Sequence, residues 1–194
     1  EIVTDQINAG CYVFRRDVID RIPVGQVVSV ERDTFPGLLA QGHRLTGVVD
    51  DGYWLDLGTP LSFVRGSADL VLGRVDSSAV PGPTGERLVL GDARVADDAT
   101  VTGGSVVADS CVVHAGAVVE GSVLMPGVVV AAGAAVRDSV LATGARVGEK
   151  ASVSGTVVAE GAVIGAGVEL VEGARVWPGA VIPDGGLRFS SDRS

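Results

Sequence analysis

From residue 95 onward an aliphatic side chain returns at every sixth position: Val95, Val101, Val107, Val113 and Val119. The step shortens to five at Leu124, returns to six at Val130 and Val136, and shortens again at Leu141. Val147 and Val153 follow, then a third short step to Val158, and finally Ile164, Leu170, Val176 and Ile182. Four residues after most of these stands a small or β-branched residue, among them Ala99, Cys111, Ala117, Ala134, Ala151 and Ala162. The triplets Gly104-Ser105-Val106, Gly121-Ser122-Val123, Asp138-Ser139-Val140 and Gly155-Thr156-Val157 recur at intervals of seventeen residues. Neither a helix nor an ordinary half-buried strand has this period, so it is an internal repeat. Three hexads shortened by one residue make one turn of a triangular coil with a short strand on each side. The aliphatic points into the prism, the small residue fits the corner, and glycine or a short polar residue turns the chain. Successive coils then pair as parallel strands about 4.8 Å apart.

This pattern resembles the hexapeptide-repeat left-handed β-helix, and the left hand is what that resemblance implies. About five coils are expected over residues 89–183, with 184–194, "PDGGLRFSSDRS" less its proline, as a tail in which Phe189 covers the coil end. Exposed strand edges at the ends of such a coil need covering. A sandwich of short strands would instead alternate by two with irregular turn spacing.

Residues 1–72 carry no hexads. "INAGCYVF" (7–14) reads as a strand with Ile7, Ala9, Cys11 and Val13 on one face. Asp17 is a candidate cap for a short helix over 18–22, and Ser29 for a second helix ending near Gly42. "RLTGVVDD" and "YWLDL" read as strands. Thr59 followed by Pro60 predicts a helix over about 60–72, and 73–88 reads as a linker. Alternating strands and helices indicate an α/β layer. Seventy-two residues supply little core for a free-standing domain, so this segment is expected to be the C-terminal part of a larger Rossmann-like domain. The chain also starts with Glu1 and lacks an initiator Met, which fits a piece of a longer protein.

Composition narrows the function. The 194 residues are 46% apolar but 4% aromatic and include 28 glycines, as suits many small inward positions and frequent turns. The net charge is −9 with no basic block, so nucleic acid and anionic membrane are not expected partners. No apolar run reaches the roughly 18 residues of a membrane span. Cys11 and Cys111 stand far apart without a Cys/His cluster. They read as two free thiols of a cytoplasmic protein, Cys111 as a structural corner residue.

The candidate chemistry lies before the coil. In "YWLDLGTP", Asp56 stands between Leu55 and Leu57, and a carboxylate among apolar neighbours is costly unless something binds it. "INAGCYVF", "VSVERDTFPGLL" and "YWLDLGTP", followed by a hexapeptide coil and the ending "VIPDGGLRFSSD", together resemble the sugar-1-phosphate nucleotidyltransferases. The mannose-1-phosphate guanylyltransferase type is the nearest within that group. The resemblance implies that a sugar 1-phosphate attacks the α-phosphate of a nucleoside triphosphate, with Mg²⁺ neutralising charge. It implies that Asn8 and Glu31 hydrogen-bond sugar hydroxyls, that Gly10 admits the sugar to the backbone, and that Asp56 is the catalytic carboxylate ligand of Mg²⁺. The nucleotide-binding half, with its glycine-rich basic loop and first metal-binding acid, is not in this chain, which alone is expected to be inactive. The coil would serve assembly, as a homo-oligomer, or regulation.

Plainer roles exist for each residue. Asn8, the one Asn in the sequence, could end a strand, and Glu31 could favour a helix dipole from its first turn. Asp33 reads as a solvated acid of that turn, and His43 as a surface residue. Asp56 could simply precede a helix, though Thr59 already fills the cap. Two other functions compete. In a hexapeptide acyltransferase, outward-pointing His114 would be a general base; in a non-catalytic module, the coil would act only as a platform.

Overall fold

The computed structural model describes residues 6–78, 80, 84–171 and 173–188. The fold is mainly β and divides into two compact units, Glu1–Trp54 and Leu55–Ser194.

The second unit is a parallel β-solenoid of three sheets. One stacks Arg87–Val89, Ser105–Val107, Val123–Leu124, Val140–Leu141, Val157–Val158 and Arg175–Val176. The second stacks Arg94–Val95, Val112–Val113, Val129–Val130, Arg146–Val147, Val163–Ile164 and Val181–Ile182. The third stacks Thr100–Thr102, Val118–Glu120, Ala135–Arg137, Ser152–Ser154 and Glu169–Leu170. Five full turns and a partial sixth result, against the five expected, because a first turn beginning at Arg87 precedes the first clear hexad. The central turns repeat every 17 residues, as in Val123↔Val140 and Val140↔Val157. The first and last add a residue, as in Arg87↔Ser105 and Val157↔Arg175.

The inward aliphatics are buried as the hexads predict, with only Val95 and Ile182, one at each end, partly open. Ala117, Ala134, Ala145 and Ala162 are fully buried at the corners. The shortened corner has a feature of its own. Ser105, Ser122, Ser139 and Thr156 are buried hydroxyls stacked above one another. Each serine oxygen accepts the backbone N–H of the next member at 3.1 Å. Each hydroxyl also donates to a nearby carbonyl, Ser122 to Glu120 at 2.8 Å and Ser139 to Arg137 at 2.6 Å. Removing one residue per turn displaces a backbone donor from its ladder, and the hydroxyl replaces the missing acceptor.

Helix α3 (Pro60–Val71) lies on the first sheet. Thr59 caps it as the sequence predicts, its Oγ1 accepting from the Ser62 N–H at 3.1 Å. Twelve residues span about 18 Å, or roughly four rungs of the solenoid. Gly104 permits the close seating, since a Cβ there would lie 2.7 Å from the Ala68 Cα. The helix carries a buried acid, Asp69, paired with Arg74 at 2.9 Å just beyond its end.

The first unit departs from expectation. Among its described residues no strand forms, although "INAGCYVF", "RLTGVVDD" and the start of "YWLDL" carry strand-like sequence. A strand exists only through backbone pairing with another strand, and no such pairing involves these segments among the described residues. The face of "INAGCYVF" that carries Ile7, Ala9, Cys11 and Val13 is exposed. Ile7 and Val13 are 67% and 98% exposed, whereas Tyr12 and Phe14 turn toward Phe35.

Helix α1 is Arg16–Ile19, starting two residues earlier than expected, with Arg15 at the cap position without a side-chain capping bond and Asp17 in the first turn. Ser29 does cap the second helical stretch, which opens as a π-turn, Val30–Thr34, before α2 (Phe35–Ala40). Its carbonyl accepts from both Asp33 and Thr34 N–H groups, at 3.0 and 3.1 Å. Pro36 explains the widening. It brings no N–H to the Arg32 carbonyl and its ring needs that space.

Candidate functional site

In the first unit the chain turns sharply after Asn8. Gly10 adopts φ +72°, a left-handed conformation open to glycine, and its N–H donates to Asn8 Oδ1 at 2.9 Å. That contact fixes the amide orientation, because a backbone N–H must meet the oxygen. The Asn8 Nδ2 then points the other way and donates to Glu31 Oε1 at 3.0 Å and to the Tyr12 hydroxyl at 2.7 Å. Tyr12 closes the triangle by donating to the same Glu31 oxygen at 2.6 Å. Trp54 braces the turn from behind, its indole N–H 3.4 Å from the Ala9 carbonyl.

The fold thus brings three predicted residues, Asn8, Gly10 and Glu31, into one exposed cluster. Glu31 reaches it from the π-turn Val30–Thr34. Asp33, on the same turn, faces away and accepts the Ser29 N–H at 2.9 Å, a capping role. The cluster retains free acceptors. Glu31 Oε2 takes no hydrogen bond among the described residues, and Asn8 Oδ1 has a second lone pair. A Cβ at Gly10 would meet nothing within 4 Å, so the space beside the turn is open.

Tyr12 was not anticipated. It stands at the parity of Asn8 and Gly10, so an extended segment puts all three on one face. The Glu31 carboxylate that accepts its hydrogen bond holds the Tyr12 phenol above the usual tyrosine range.

Asp56 belongs to the second unit. Leu55 and Leu57 both reach Gly66 of α3, where a Cβ would stand 2.8 Å from the Leu57 Cδ2. Their shared face leaves Asp56 on the opposite side, exposed, so the burial cost suggested by its leucine neighbours does not arise. The Gly58 N–H donates to Asp56 Oδ1 at 2.9 Å and fixes the carboxylate, while Oδ2 has no hydrogen-bond partner among the described residues. That oxygen suits a hard cation as one ligand. Among the described residues no three His, Cys, Asp or Glu gather to form a whole metal site.

The remaining candidates are plainer. His43 is exposed, beside Arg21 at 2.8 Å. Cys111 is fully buried, its thiol 3.1 Å from the Met125 carbonyl and pushed up in pKa by burial. His114 is exposed on the second sheet, and its ring has no hydrogen-bond partner among the described residues. Phe189 lies outside the described residues, so its expected cap does too; before it, Gly185 and Leu187 extend the ladder onto Ala166 and Glu169. No helix among the described residues is long and apolar enough to cross a membrane.

Comparison with known proteins matches both the solenoid and the segment that precedes it. The GMPPB C-terminal domain family matches residues 84–188, and the nucleotidyl transferase family matches residues 2–71. The chain belongs to the GMPPB C-terminal domain family.

Among curated relatives, mannose-1-phosphate guanylyltransferase of Mycobacterium tuberculosis (strain ATCC 25618 / H37Rv) is 55% identical over 190 residues, covering 97% of this chain and 53% of that protein. Mannose-1-phosphate guanylyltransferase catalytic subunit beta of Drosophila melanogaster is 39% identical over 66 residues, covering 34% of this chain and 17% of its own. The chain spans about half the length of the first relative and less of the second. Among solved structures, the acetyltransferase domain of PglB from Neisseria gonorrhoeae FA1090 in complex with acetyl coenzyme A aligns over 75% of this chain and 82% of its own. It is 20% identical with a TM-score of 0.38, too loose to bear on function.

Proposed function

We propose that this chain supplies the sugar-phosphate side of a mannose-1-phosphate guanylyltransferase. A phosphate oxygen of mannose 1-phosphate attacks the α-phosphorus of GTP, a new P–O bond forms, the bond to the β-phosphate oxygen breaks, and pyrophosphate leaves with GDP-mannose. The observation that carries this reading is the Asn8–Glu31 cluster beside the open Gly10 turn. Its free lone pairs are acceptors, and sugar hydroxyls are donors. Gly10 leaves room for the ring to approach the backbone. Asn8 Oδ1 and Glu31 Oε2 would hold adjacent hydroxyls, and orientation of this kind supplies much of the rate enhancement in phosphoryl-type transfer.

Asp56 would hold Mg²⁺ through its Oδ2 as one carboxylate ligand. Mg²⁺ bound there supplies neutralisation of the phosphate charge. The Gly58 N–H keeps the carboxylate turned outward for this role. Among the described residues the solenoid carries no such cluster, and its proposed part is assembly into a homo-oligomer or regulation. Two free cysteines and nucleotide substrates suit a cytoplasmic setting.

The test measures pyrophosphate release by the protein as the organism makes it, with GTP, mannose 1-phosphate and Mg²⁺. Turnover that needs both substrates, falls on chelation and drops by about 10²-fold or more in Asp56→Asn is expected, since such an ion is worth several kcal/mol. Release that is indifferent to mannose 1-phosphate or to Asp56 overturns the reading.

A further inference from the structure

We infer that Tyr12 is a positioning residue for the sugar site: its hydroxyl pins one oxygen of Glu31 and turns the other toward the substrate. This rests on the reading of Asn8 and Glu31 as the sugar-binding pair and deepens it by naming what sets their geometry.

Glu31 and Asn8 are both exposed and stand on different segments, one on the π-turn and one on the loop before Tyr12. An exposed glutamate ordinarily samples several rotamers, at a cost in entropy when a ligand fixes one. Here two donors converge on a single oxygen. The Tyr12 hydroxyl lies 2.6 Å from Oε1 and the Asn8 amide 3.0 Å from it. A 2.6 Å hydrogen bond from a neutral phenol to a carboxylate is of the short, charge-assisted kind. With Oε1 taken twice, Oε2 is the oxygen left for a hydroxyl donor.

The tyrosine is itself held by its ring. It meets Phe35 edge-on at 5.1 Å and Phe14 at 6.0 Å. Phe35 follows directly on the π-turn Val30–Thr34 that carries Glu31. One short helical stretch therefore supplies both the carboxylate and the aromatic clamp that aims the phenol at it. The hydroxyl also accepts from Asn8 Nδ2 at 2.7 Å, so Tyr12 links the two sugar-binding residues rather than supporting either alone. Tyr12 need not touch substrate to matter. Without its hydroxyl, the Asn8 amide is the one donor left on Oε1 among the described residues, and the carboxylate regains freedom to rotate.

Two substitutions separate positioning from packing. Tyr12→Phe keeps the ring cluster and removes the hydroxyl, whereas Tyr12→Leu removes both. In the protein as the organism makes it, Tyr12→Phe should raise KM for mannose 1-phosphate by roughly tenfold, as loss of a hydrogen bond to a charged group implies. KM for GTP and the unfolding temperature should stay near their original values, and Tyr12→Leu should also lower the unfolding temperature.

A second readout does not need turnover. With the tyrosines ¹³C-labelled, Glu31→Gln should bring the Tyr12 titration down toward the ordinary tyrosine range. Unchanged sugar KM in Tyr12→Phe, or a Tyr12 titration indifferent to Glu31, overturns the inference. If Glu31→Gln raises the sugar KM while Tyr12→Phe does not, this inference alone fails. A protein with no mannose 1-phosphate-dependent turnover overturns both.

Discussion

The backbone N–H of Ser139 donates to the hydroxyl of Ser122, seventeen residues earlier, at 3.1 Å, and both residues are buried. The bond repeats up the short corner of the solenoid, so the chain binds itself to the next turn through side chain as well as backbone. Ser139→Ala should cost about 1–3 kcal/mol, because it strands the buried Thr156 N–H without its acceptor. Ser152→Ala, on the outward side of the third sheet, should stay within about 0.5 kcal/mol. Urea unfolding of the two variants checks the contrast.

Gly104 combines a left-handed backbone, φ +77°, with an Ala68 backbone contact that leaves no room for a Cβ. Gly116 has φ +64° with nothing within 4 Å of its Cβ position. Gly116→Ala should therefore cost only the conformational term, about 1–2 kcal/mol. Gly104→Ala adds displacement of α3 and should cost clearly more. Thermal unfolding ranks them, and equal losses would mean that α3 is not seated on Gly104.

The two cysteines differ in environment. Cys11 is exposed, while burial raises the pKa of the Cys111 thiol. Since the thiolate is the reactive form, a thiol reagent near pH 8 should label one cysteine quickly and the second only after unfolding. Cys11→Ser should abolish the fast reaction.

Asp92 gives the acid side of stability a defined sign. Hydrogen bonds from the Ser110 side chain and backbone, the latter at 2.7 Å, hold its carboxyl below the usual range. Its contribution is present above the unfolded-state pKa and is lost as pH falls through the lower folded value. The stability difference between the protein and Asp92→Asn should be largest at neutral pH and vanish in acid. A difference that does not shrink as the pH falls would contradict this.

Local periodicity made the solenoid legible. Each hexad reports one inward side chain, and the three five-steps at Ser122, Ser139 and Thr156 mark the corner, which Ser105 occupies in a turn of full length. The capping of α3 by Thr59 was equally local. The ladder made by those hydroxyls was not visible, because it joins residues seventeen apart through backbone groups that a sequence does not rank. The first unit was harder. Strand-like sequence at residues 7–14 states a preference, but pairing is non-local, and the structure leaves Val13 exposed while Tyr12 turns to Phe35. The π-turn that presents Glu31 depends on Pro36 crowding the Arg32 carbonyl, a steric effect outside helix propensity. Asn8, Gly10 and Glu31 were named by family resemblance, and what the structure adds is that they lie together. Tyr12 was legible only by parity with Asn8.

The central claim is that the Asn8–Glu31 cluster binds the sugar phosphate and not the nucleotide. The most direct measurement is steady-state kinetics of Glu31→Gln in the protein as the organism makes it, varying each substrate in turn. Loss of a charged acceptor should raise KM for mannose 1-phosphate about tenfold or more, with KM for GTP unchanged. An unchanged KM for mannose 1-phosphate, or an equal rise in both, would contradict the account.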